Sequence, residues 1–462
     1  MALPPLGIPY DDAAIFTDLY QLSMLQSYHR QEMRDQAVFS LFFRKLPETR
    51  NFMLAAGLDP VLEYLENLHF SEDSLAYLAS TGRFEPAFLD DLKRFRFTGT
   101  VRAVAEGTPI FPHAPIVEVE APVSEAQLVE TLLINQITVS TILASKAARI
   151  VAAANGTPVI DFGTRRAHGF DAGNKAARSA YIAGCVATAN VLAGKLYDLP
   201  IAGTMAHSYV EAWKDELSAF RAFTELYPDT VLLIDTYDPI QGVENVITLA
   251  RERGDAFQVR AVRLDSGDLA DLSKDVRRRL DGAGLERVQI IVSGGLDETR
   301  IAELVAAGAP IDGYGVGTRL TTSSDAAELD IAYKLAAYGG EGRMKLAPLR
   351  KNLPGAKQVC RIEAGGCLLD GREVHTNPAR ILFDCREDAL AKPRHMAVQA
   401  LMRSFACGQE HQNLAFGLLE TLGERRDRFG KQRRYTARPQ RDPDVGGGQN
   451  FLRQLPESLA QL

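Results

Sequence analysis

Two segments in the middle of the chain combine charged side chains that can bind an anion. Asp161-Phe-Gly-Thr-Arg-Arg166 contains two guanidinium groups, and Arg263-Leu-Asp-Ser-Gly-Asp268 adds carboxylates to a third. Arginine makes planar, two-point contacts with carboxylate or phosphate. The pair of segments therefore predicts a site for a multiply anionic ligand, unless the first two arginines only form salt bridges with Asp161 or Asp171.

Two glycine-rich loops follow later in the chain, at Val292-Ser-Gly-Gly295 and Gly313-Tyr-Gly-Val-Gly-Thr318. Glycine lets backbone N–H groups approach a phosphate closely. The second loop has the spacing G-x-G-x-G-T rather than the G-x-G-x-x-G of a dinucleotide site. We expect phosphate contacts from Ser293, Gly294, Gly295, Gly315, Gly317 and Thr318, with ordinary tight turns as the alternative.

A histidine and an aspartate complete the candidate chemistry. His207 closes Gly203-Thr-Met-Ala-His207, where an imidazole can act as a base, a nucleophile or a phosphate acceptor, or simply be a hydrogen-bonded residue. No second histidine stands at metal-ligand spacing, so a zinc site is not predicted. We expect Asp265 to contact the ligand or to hold Mg²⁺ through water, and Asp268 to cap the next helix.

These segments follow short apolar runs that have the character of β-strands. The runs recur about every thirty residues, with helix-like stretches such as 268–280 and 298–307 between them, which indicates parallel βαβ units. Polar residues after six successive strands are typical of the mouth of an α/β barrel, whereas a doubly wound sheet would gather them at one switch point. We predict an irregular α/β barrel over residues 136–335, with strands at 158–161, 199–202, 231–234, 259–262, 289–292 and 312–316.

The two ends of the chain mix helix and strand patterns. A helix is expected at 58–68, strands at 37–43, 116–119 and 357–362, and a long helix from a capping box at Ser124. Residues 1–135 and 336–462 are therefore predicted to form one discontinuous α+β flanking domain. A stretch with eight Lys or Arg against four acidic residues, 424–444, and the glycines 446–448 indicate a solvated tail rather than a polyanion-binding patch.

Composition limits the possible partners of the chain. A formal net charge of −7 does not favour non-specific binding to nucleic acid. The longest uncharged run, 179–194, is shorter than the ~20 apolar residues that cross a bilayer. Without a recognisable secretory signal or a CxxC pair among five cysteines, we expect a reduced cytoplasmic protein with no membrane partner.

Seven motifs in chain order resemble those of the nicotinate phosphoribosyltransferase family, a type II phosphoribosyltransferase family. They are Thr17-Asp-Leu-Tyr-Gln21, Phe42-Phe-Arg-Lys45, Asp161-Phe-Gly-Thr-Arg165, Gly203-Thr-Met-Ala-His-Ser208, Arg263-Leu-Asp-Ser-Gly-Asp268, Gly315-Val-Gly-Thr318 and Leu353-Pro-Gly-Ala-Lys-Gln-Val359. The resemblance implies phosphoribosyl transfer from phosphoribosyl pyrophosphate to nicotinate, coupled to ATP hydrolysis. The products would be nicotinate mononucleotide and pyrophosphate, for NAD synthesis by salvage.

The resemblance also assigns roles to individual residues. It places Tyr20, Phe162, Thr204 and Arg263 around nicotinate, and Arg165, Asp265, Ser293–Gly295 and Gly315–Thr318 around the donor. It makes His207 the residue that ATP phosphorylates, and Mg²⁺ the ion that neutralises the leaving pyrophosphate. It further implies a homodimer in which Tyr20 completes the partner's site, although the residues alone also allow Tyr20 to be a packing aromatic of a helix that begins at Thr17 or Asp18.

Other functions remain open on the sequence. A sugar-phosphate sensor on the same barrel would bind the donor without turnover. In related enzymes that use nicotinamide, an Asp follows the Gly-Thr pair, and that position is Met205 here. Nicotinate is therefore expected as the pyridine, with nicotinamide or quinolinate as alternatives.

Overall fold

The structure is a computed structural model. It describes residues 9–347 and 352–359, together with the strand segments 361–364, 367–370 and 435–436. The chain divides into two compact units. The first unit takes the described residues up to Ile142 and again from Glu328, and the second unit is Leu143–Ala327.

The strands and helices are numbered in chain order. The strands are β1 (Gln36–Phe43), β2 (Met53–Leu54), β3 (Thr100–Ala103), β4 (Pro109–Ile110), β5 (Val117–Pro122), β6 (Val159–Asp161), β7 (Ala187–Thr188), β8 (Val231–Leu233), β9 (Ala261–Leu264), β10 (Gln289–Val292), β11 (Gly313–Val316), β12 (Ile331–Tyr338), β13 (Glu341–Gly342), β14 (Arg361–Ala364), β15 (Cys367–Asp370) and β16 (Tyr435–Thr436). The helices are α1 (Tyr10–Ala13), α2 (Leu19–Arg30), α3 (Leu58–Asn67), α4 (Glu72–Ser80), α5 (Pro86–Leu92), α6 (Val123–Leu128), α7 (Glu130–Ala153), α8 (Phe170–Ile182), α9 (Val191–Tyr197), α10 (His207–Glu211), α11 (Glu216–Leu226), α12 (Pro239–Arg253), α13 (Leu269–Gly282), α14 (Glu298–Ala306) and α15 (Thr318–Thr322).

The first unit is built on a six-stranded sheet with the order β13-β12-β1-β5-β3-β16. Its central strand β1 pairs antiparallel with β5 and with β12, so residues from both regions of the chain meet in one sheet. Phe39 of β1 stacks on Tyr333 of β12 with ring centroids 4.8 Å apart. The strand pairing and this buried contact join the two regions into one α+β unit.

The helix predicted from Ser124 is divided in two. The first helix, α6, is preceded by Pro122, and Ser124 lies inside it rather than at its cap. The amide of Gln21 donates to the carbonyl oxygens of Gln127 and Leu128 at 2.8 and 3.4 Å, where α6 ends. Those carbonyl groups serve a tertiary contact, so the break could not be foreseen from a local capping pattern.

The second unit is an α/β unit around a parallel sheet with the order β7-β6-β11-β10-β9-β8. The sheet curls into a half-barrel. A single bridge between Thr188 and Ile201 extends it at one edge. The predicted irregular α/β barrel with a discontinuous α+β flanking domain is thereby confirmed in class.

Three details of the barrel prediction are wrong. Residues 199–202 contribute only the bridge at Ile201 instead of a strand, because Pro200 has no N–H for a ladder. The prediction also missed β7, whose two residues are an alanine and a threonine and carry little strand signal. The fourth predicted strand begins later, at Ala261.

The helices of the second unit begin where the sequence offers caps. Asp268 caps α13 by accepting hydrogen bonds from the N–H groups of Ala270 and Asp271 at 3.1 and 3.3 Å, as predicted. Gly242 lets α12 pack closely on the chain after β8, because a Cβ there would lie 1.9 Å from the carbonyl oxygen of Ile234. Among the described helices, none combines the length and apolar character that a bilayer span requires. The predicted tail at 424–444 and the glycines 446–448 lie outside the described residues, apart from β16.

Candidate active site

The predicted site residues of the second unit lie at the carboxyl ends of its parallel strands. Phe162 follows β6, Asp265 follows β9 and Ser293 follows β10, while Gly315 lies in β11 itself. Parallel strands in register end at one edge of their sheet, and active sites of α/β barrels form there. Hydrogen bonds and close side-chain contacts join these residues to each other.

Phe162 is held beside the end of β11. Its N–H donates to the carbonyl oxygen of Val316 at 2.8 Å. A Cβ on Gly315 would lie 2.5 Å from two carbon atoms of the Phe162 ring, so only glycine allows this approach. The guanidinium carbon of Arg263 lies 5.9 Å from the centre of the same ring. The Phe162 ring and the Arg263 guanidinium group thus lie next to each other at the carboxyl ends of the strands.

The side chain of Arg263 is almost buried, and only some of its guanidinium N–H groups have hydrogen-bond partners. Nη1 donates to the Thr204 hydroxyl and, at 3.4 Å, to the carbonyl oxygen of Met205. Nη2 lies 3.7 Å from Oδ1 of Asp265, and the buried Nε has no hydrogen-bond partner among the described residues. Burial lowers the pKa of Arg263, while the charge of Asp265 opposes the shift. The buried Nε–H is therefore a donor that the described residues leave without an acceptor, next to an Nη2 group that lies beside a carboxylate.

Asp265 lies close to three of the predicted residues, which are Arg263, Ser293 and His207. The Ser293 hydroxyl donates to its Oδ1, and its Oδ2 lies 3.8 Å from Nε2 of His207. The side chain keeps about a third of its surface exposed. A carboxylate with solvent access at this edge can face a ligand as well as its protein neighbours.

His207 is the first residue of α10 and is partly exposed. Its Nδ1 is 3.2 Å from the Thr236 hydroxyl, and Nε2 faces Asp265. The ring therefore has a hydrogen bond at Nδ1, while Nε2 lies near a carboxylate without a hydrogen bond to it. A nucleophilic or phosphate-accepting role needs a ring nitrogen with solvent access.

Asp235, at the end of β8, was not predicted as a site residue. Its Oδ2 accepts hydrogen bonds from the N–H of Asp265 at 2.7 Å and from the Ser266 hydroxyl at 2.8 Å. It is buried, and its Oδ1 has no hydrogen-bond partner in the described part of the chain. A carboxylate directly after an apolar strand was the available signal, and its target, a backbone N–H thirty residues later, is visible only in the fold.

Glu216 is a second buried carboxyl group near Asp235. Burial raises its pKa to about 6, the hydrogen bond from Asn245 opposes this, and the charges of Asp235 and Asp238 add to it. Its Oε2 accepts from the Asn245 amide at 2.8 Å. Glu216, Asp235 and Asp238 therefore concentrate negative charge in the segments after β8 and at the start of α11.

The two glycine-rich loops have the backbone freedom that phosphate binding requires. Gly294 and Gly295 are exposed and have φ angles of +89° and +64°, a region that favours glycine. A Cβ on Gly294 would lie 1.9 Å from the carbonyl oxygen of Asp265. In the second loop, Gly317 precedes α15, and Thr318 begins that helix with an exposed side chain.

Arg165 lies in a short 3₁₀ turn, Thr164–Arg166, and is exposed. Within the described ranges, neither arginine of this turn forms an ion pair. Asp171 pairs with Lys175 instead, and both oxygens of Asp161 accept hydrogen bonds from other groups. The geometry therefore leaves the arginines available for a ligand.

Tyr20 belongs to the first unit, at the second residue of α2. Its ring is about half exposed, and burial of the remainder together with Glu130 raises the pKa of its hydroxyl. The helix begins at Asp18, whose N–H donates to the Gln21 side chain at 2.9 Å. About half of the surface of Tyr20 thus remains exposed within one chain.

The described residues contain no group of three or more His, Cys, Asp or Glu side chains arranged to hold a metal ion. Asp265 and Asp235 are two carboxylates at adjacent strand ends. Mg²⁺ commonly takes one or two carboxylates and completes its shell with substrate phosphates and water. The donor set fits that mode of binding rather than a cage of protein ligands.

Comparisons with known proteins agree along most of the chain. Residues 15–138 match the nicotinate phosphoribosyltransferase (NAPRTase) N-terminal domain, and residues 158–347 match the nicotinate phosphoribosyltransferase (NAPRTase) family. Nicotinate phosphoribosyltransferase pncB2 of Mycobacterium tuberculosis is 56% identical over 348 residues, 75% of each chain. The Bacillus subtilis nicotinate phosphoribosyltransferase is 43% identical over 77% of this chain and 74% of its own.

Solved structures share the fold over most of the chain. Human nicotinic acid phosphoribosyltransferase superposes with a TM-score of 0.69 at 31% identity, over 76% of this chain and 80% of that one. Nicotinate-nucleotide pyrophosphorylase from Pyrococcus furiosus superposes with a TM-score of 0.62 at 26% identity, over 76% and 82% of the two chains. Together with the two matched domains, these relatives show that the chain belongs to the nicotinate phosphoribosyltransferase family.

Proposed function

We propose that the protein transfers the phosphoribosyl group of phosphoribosyl pyrophosphate to nicotinate, in a reaction coupled to ATP hydrolysis. The products are nicotinate mononucleotide and pyrophosphate, for NAD synthesis. The observation that carries the proposal is the partly free guanidinium group of Arg263, which lies over Phe162 and beside Asp265. At this end of the sheet, Arg263 can pair with the carboxylate of a pyridine. The groups suited to the phosphoribosyl donor lie at the ends of the neighbouring strands.

Arg263 and Phe162 are assigned to nicotinate. The Nε–Nη2 edge of Arg263 receives the carboxylate, and the Phe162 ring contacts the flat pyridine. Thr204 and the Met205 carbonyl hold Nη1 and so orient the guanidinium plane. Because Met205 offers no carboxylate to an amide N–H, nicotinamide is a poorer ligand here.

The donor is assigned to the exposed cations and glycine loops. Arg165, Gly294, Gly295, Gly317 and Thr318 are suited to its phosphates, since they combine a guanidinium fork with solvent-accessible loop residues. Ser293 and Gly315 are buried, and the Ser293 N–H donates to the carbonyl oxygen of Leu264 at 2.8 Å, so these two residues shape the loops. Asp265 faces the ribose carbon. Its negative charge stabilises the positive charge that develops there in an oxocarbenium-like transition state.

The reaction needs little acid or base chemistry. The ring nitrogen of nicotinate donates its lone pair to the anomeric carbon, and the bond from that carbon to pyrophosphate breaks with its electrons on the leaving oxygen. No proton is removed from the nucleophile. The protein's task is then to orient the two reactants and stabilise charge.

Mg²⁺ is proposed to bind with the donor at Asp265, through water, with Asp235 behind it. When bound, the ion neutralises charge on the leaving pyrophosphate. The unpartnered Oδ1 of Asp235 and the partly exposed carboxylate of Asp265 support this assignment. Both residues also hold the turn at the end of β9 in the absence of any ion.

His207 is proposed to take the γ-phosphoryl group of ATP. A ring nitrogen forms the N–P bond, ADP leaves, and water later hydrolyses the phosphohistidine. The hydrogen bond between Nδ1 and Thr236 and the partial exposure of the ring support this assignment. We also propose that the enzyme acts in the cytoplasm as a homodimer, in which Tyr20 completes the partner's site.

Product formation tests the proposal directly. Purified protein is given phosphoribosyl pyrophosphate, Mg²⁺ and nicotinate, with and without ATP, and mononucleotide and pyrophosphate are measured. We expect equal amounts of both products and a higher rate with ATP. Donor binding without any product would contradict the proposal and indicate the sensor instead.

A further inference from the structure

Asp161 is a fully buried carboxylate at the end of β6, immediately before Phe162. No cationic side chain pairs with it among the described residues, and burial raises its pKa, although two hydrogen bonds oppose that shift. A buried carboxyl group without a cation is costly. Its position therefore calls for a reason beyond packing.

The two carboxylate oxygens of Asp161 serve two different turns. Oδ1 accepts the N–H of Gly163 at 2.8 Å, and Oδ2 accepts the Thr188 hydroxyl at 2.8 Å. The first bond holds the turn that carries Phe162 and Arg165. The second bond ties that turn to β7, the neighbouring strand.

Thr188 continues the connection into a buried polar network. Its hydroxyl oxygen accepts the N–H of Asn190 at 3.1 Å, and the Asn190 side chain donates to Asn174 at 3.0 Å. All three residues are nearly inaccessible to solvent. The network thereby joins the turn after β6 to helices α8 and α9.

The turn packs closely against helix α15. A Cβ on Gly163 would lie 2.1 Å from a methyl carbon of Thr321. Phe162 is held by the hydrogen bond from its N–H to the Val316 carbonyl, and the backbone N–H of Arg166 closes the turn by donating to the Gly163 carbonyl at 2.8 Å. The Asp161 carboxylate supplies the remaining anchor, at the N–H between the two ligand-facing side chains.

We infer that Asp161 is a positioning residue for the reaction, and that Thr188 orients its carboxylate so that Phe162 and Arg165 face nicotinate and the donor together. The inference rests on the proposed function, because it assigns the two positioned side chains to those substrates. Asp161 itself contacts neither substrate. It acts through the N–H of Gly163.

The matched variants Thr188→Val and Thr188→Ser test the inference. Valine keeps the shape of the side chain but removes the hydroxyl donor, whereas serine keeps the donor. We expect Thr188→Val to raise the KM for both nicotinate and phosphoribosyl pyrophosphate about tenfold, the effect of one hydrogen bond to a charged group. Thr188→Ser should stay within about twofold of the unaltered protein, and kcat should change less than KM in both variants.

Asp161→Asn is the stronger variant, because it removes the negative charge and one of the two acceptor atoms. The amide oxygen can keep the bond from the Gly163 N–H only if the amide NH2 group faces Thr188 and reverses the direction of that bond. It should raise both KM values roughly 10- to 100-fold. Asp215→Asn is the control, since Asp215 also accepts one N–H and one hydroxyl, from Ser218, but lies on the surface at the start of α11. Circular dichroism and thermal unfolding report whether each variant is folded.

Equal KM values for Thr188→Val and Thr188→Ser would overturn the inference. Turnover of nicotinate by the unaltered protein judges the proposed function separately. If turnover is absent, calorimetric binding of phosphoribosyl pyrophosphate compares the same pair. Equal affinities would then overturn the inference, and tighter binding by the serine variant would support it.

Discussion

At the scale of single residues, Arg263 is anchored through one nitrogen and keeps an unused donor at another. Nη1 donates to Thr204 and Met205, whereas the buried Nε has no hydrogen-bond partner among the described residues and Nη2 lies beside Asp265. The sequence predicted that Arg263, Asp265 and His207 lie in a site. It could not predict that Asp235 holds the backbone N–H of Asp265, because that bond depends on the pairing of β8 with β9.

Arg263→Gln tests the proposed contact of Arg263 Nε and Nη2 with the nicotinate carboxylate. Glutamine keeps polarity but cannot make the two-point contact with a carboxylate, so the KM for nicotinate should rise roughly 100-fold. The KM for phosphoribosyl pyrophosphate should change much less. Arg260→Gln is the matched control, because Arg260 immediately precedes β9, at the opposite end from the site. A similar loss in both variants, measured by steady-state kinetics, would argue against the assignment.

His207→Ala tests the coupling to ATP. Removal of the phosphate acceptor should abolish the increase in rate with ATP, while slow transfer without ATP remains, because the assigned substrate contacts are intact. Incorporation of phosphate from γ-labelled ATP should also disappear. His69→Ala, in the first unit, serves as the control. Full ATP stimulation in His207→Ala would show that another residue carries the coupling.

At the scale of elements, the apolar strands of the second unit were predictable from the sequence. The edge formed by β7 and the bridge at Ile201 was not. Apolar runs followed by polar residues located β6, β8, β10 and β11 because these strands are buried on both faces. The two-residue strand β7 and the single bridge at Ile201 depend on neighbours for their pairing. Local propensity therefore identifies the apolar strands, including β8 at one edge of the sheet, better than the two-residue strand β7 at the other edge.

Gly315→Ala tests the close packing between β11 and Phe162. The added methyl group would overlap the ring, so we expect lower affinity for nicotinate and a loss of about 1–3 kcal/mol in the free energy of unfolding. Gly313→Ala in the same strand is the control, since its nearest neighbour would be an Ile291 carbon at 3.4 Å. Equal kinetics and equal unfolding midpoints for the two variants would contradict the packing account.

At the scale of the whole molecule, family membership covers both units. The matched regions, 15–138 and 158–347, include β1 to β13 and every predicted site residue. We propose from the resemblance of Thr17–Gln21 to the family that Tyr20 takes part in a site, and Tyr20 belongs to a different unit from the residues at the sheet edge. Shared sites in a homodimer would give this exposed tyrosine its function.

Mixing two inactive variants tests that arrangement. Tyr20→Ala and Asp265→Ala should each be nearly inactive as purified homodimers. After exchange of subunits, mixed dimers would contain one intact site, and roughly a quarter of the unaltered activity should return in an equal mixture. No recovery, despite exchange demonstrated by native mass spectrometry, would show that each chain uses its own Tyr20 or none.

The most direct measurement of the central claim is a competition among three pyridines. Nicotinate labelled with ¹³C in its ring is mixed in equal amount with unlabelled nicotinamide and quinolinate, and phosphoribosyl pyrophosphate, Mg²⁺ and ATP are added. Mass spectrometry then identifies the mononucleotide formed, and the label separates nicotinate from quinolinate as its source. We predict labelled nicotinate mononucleotide with an equal amount of pyrophosphate; nicotinamide mononucleotide or unlabelled nicotinate mononucleotide as the main product would contradict the assignment of Arg263 and Met205.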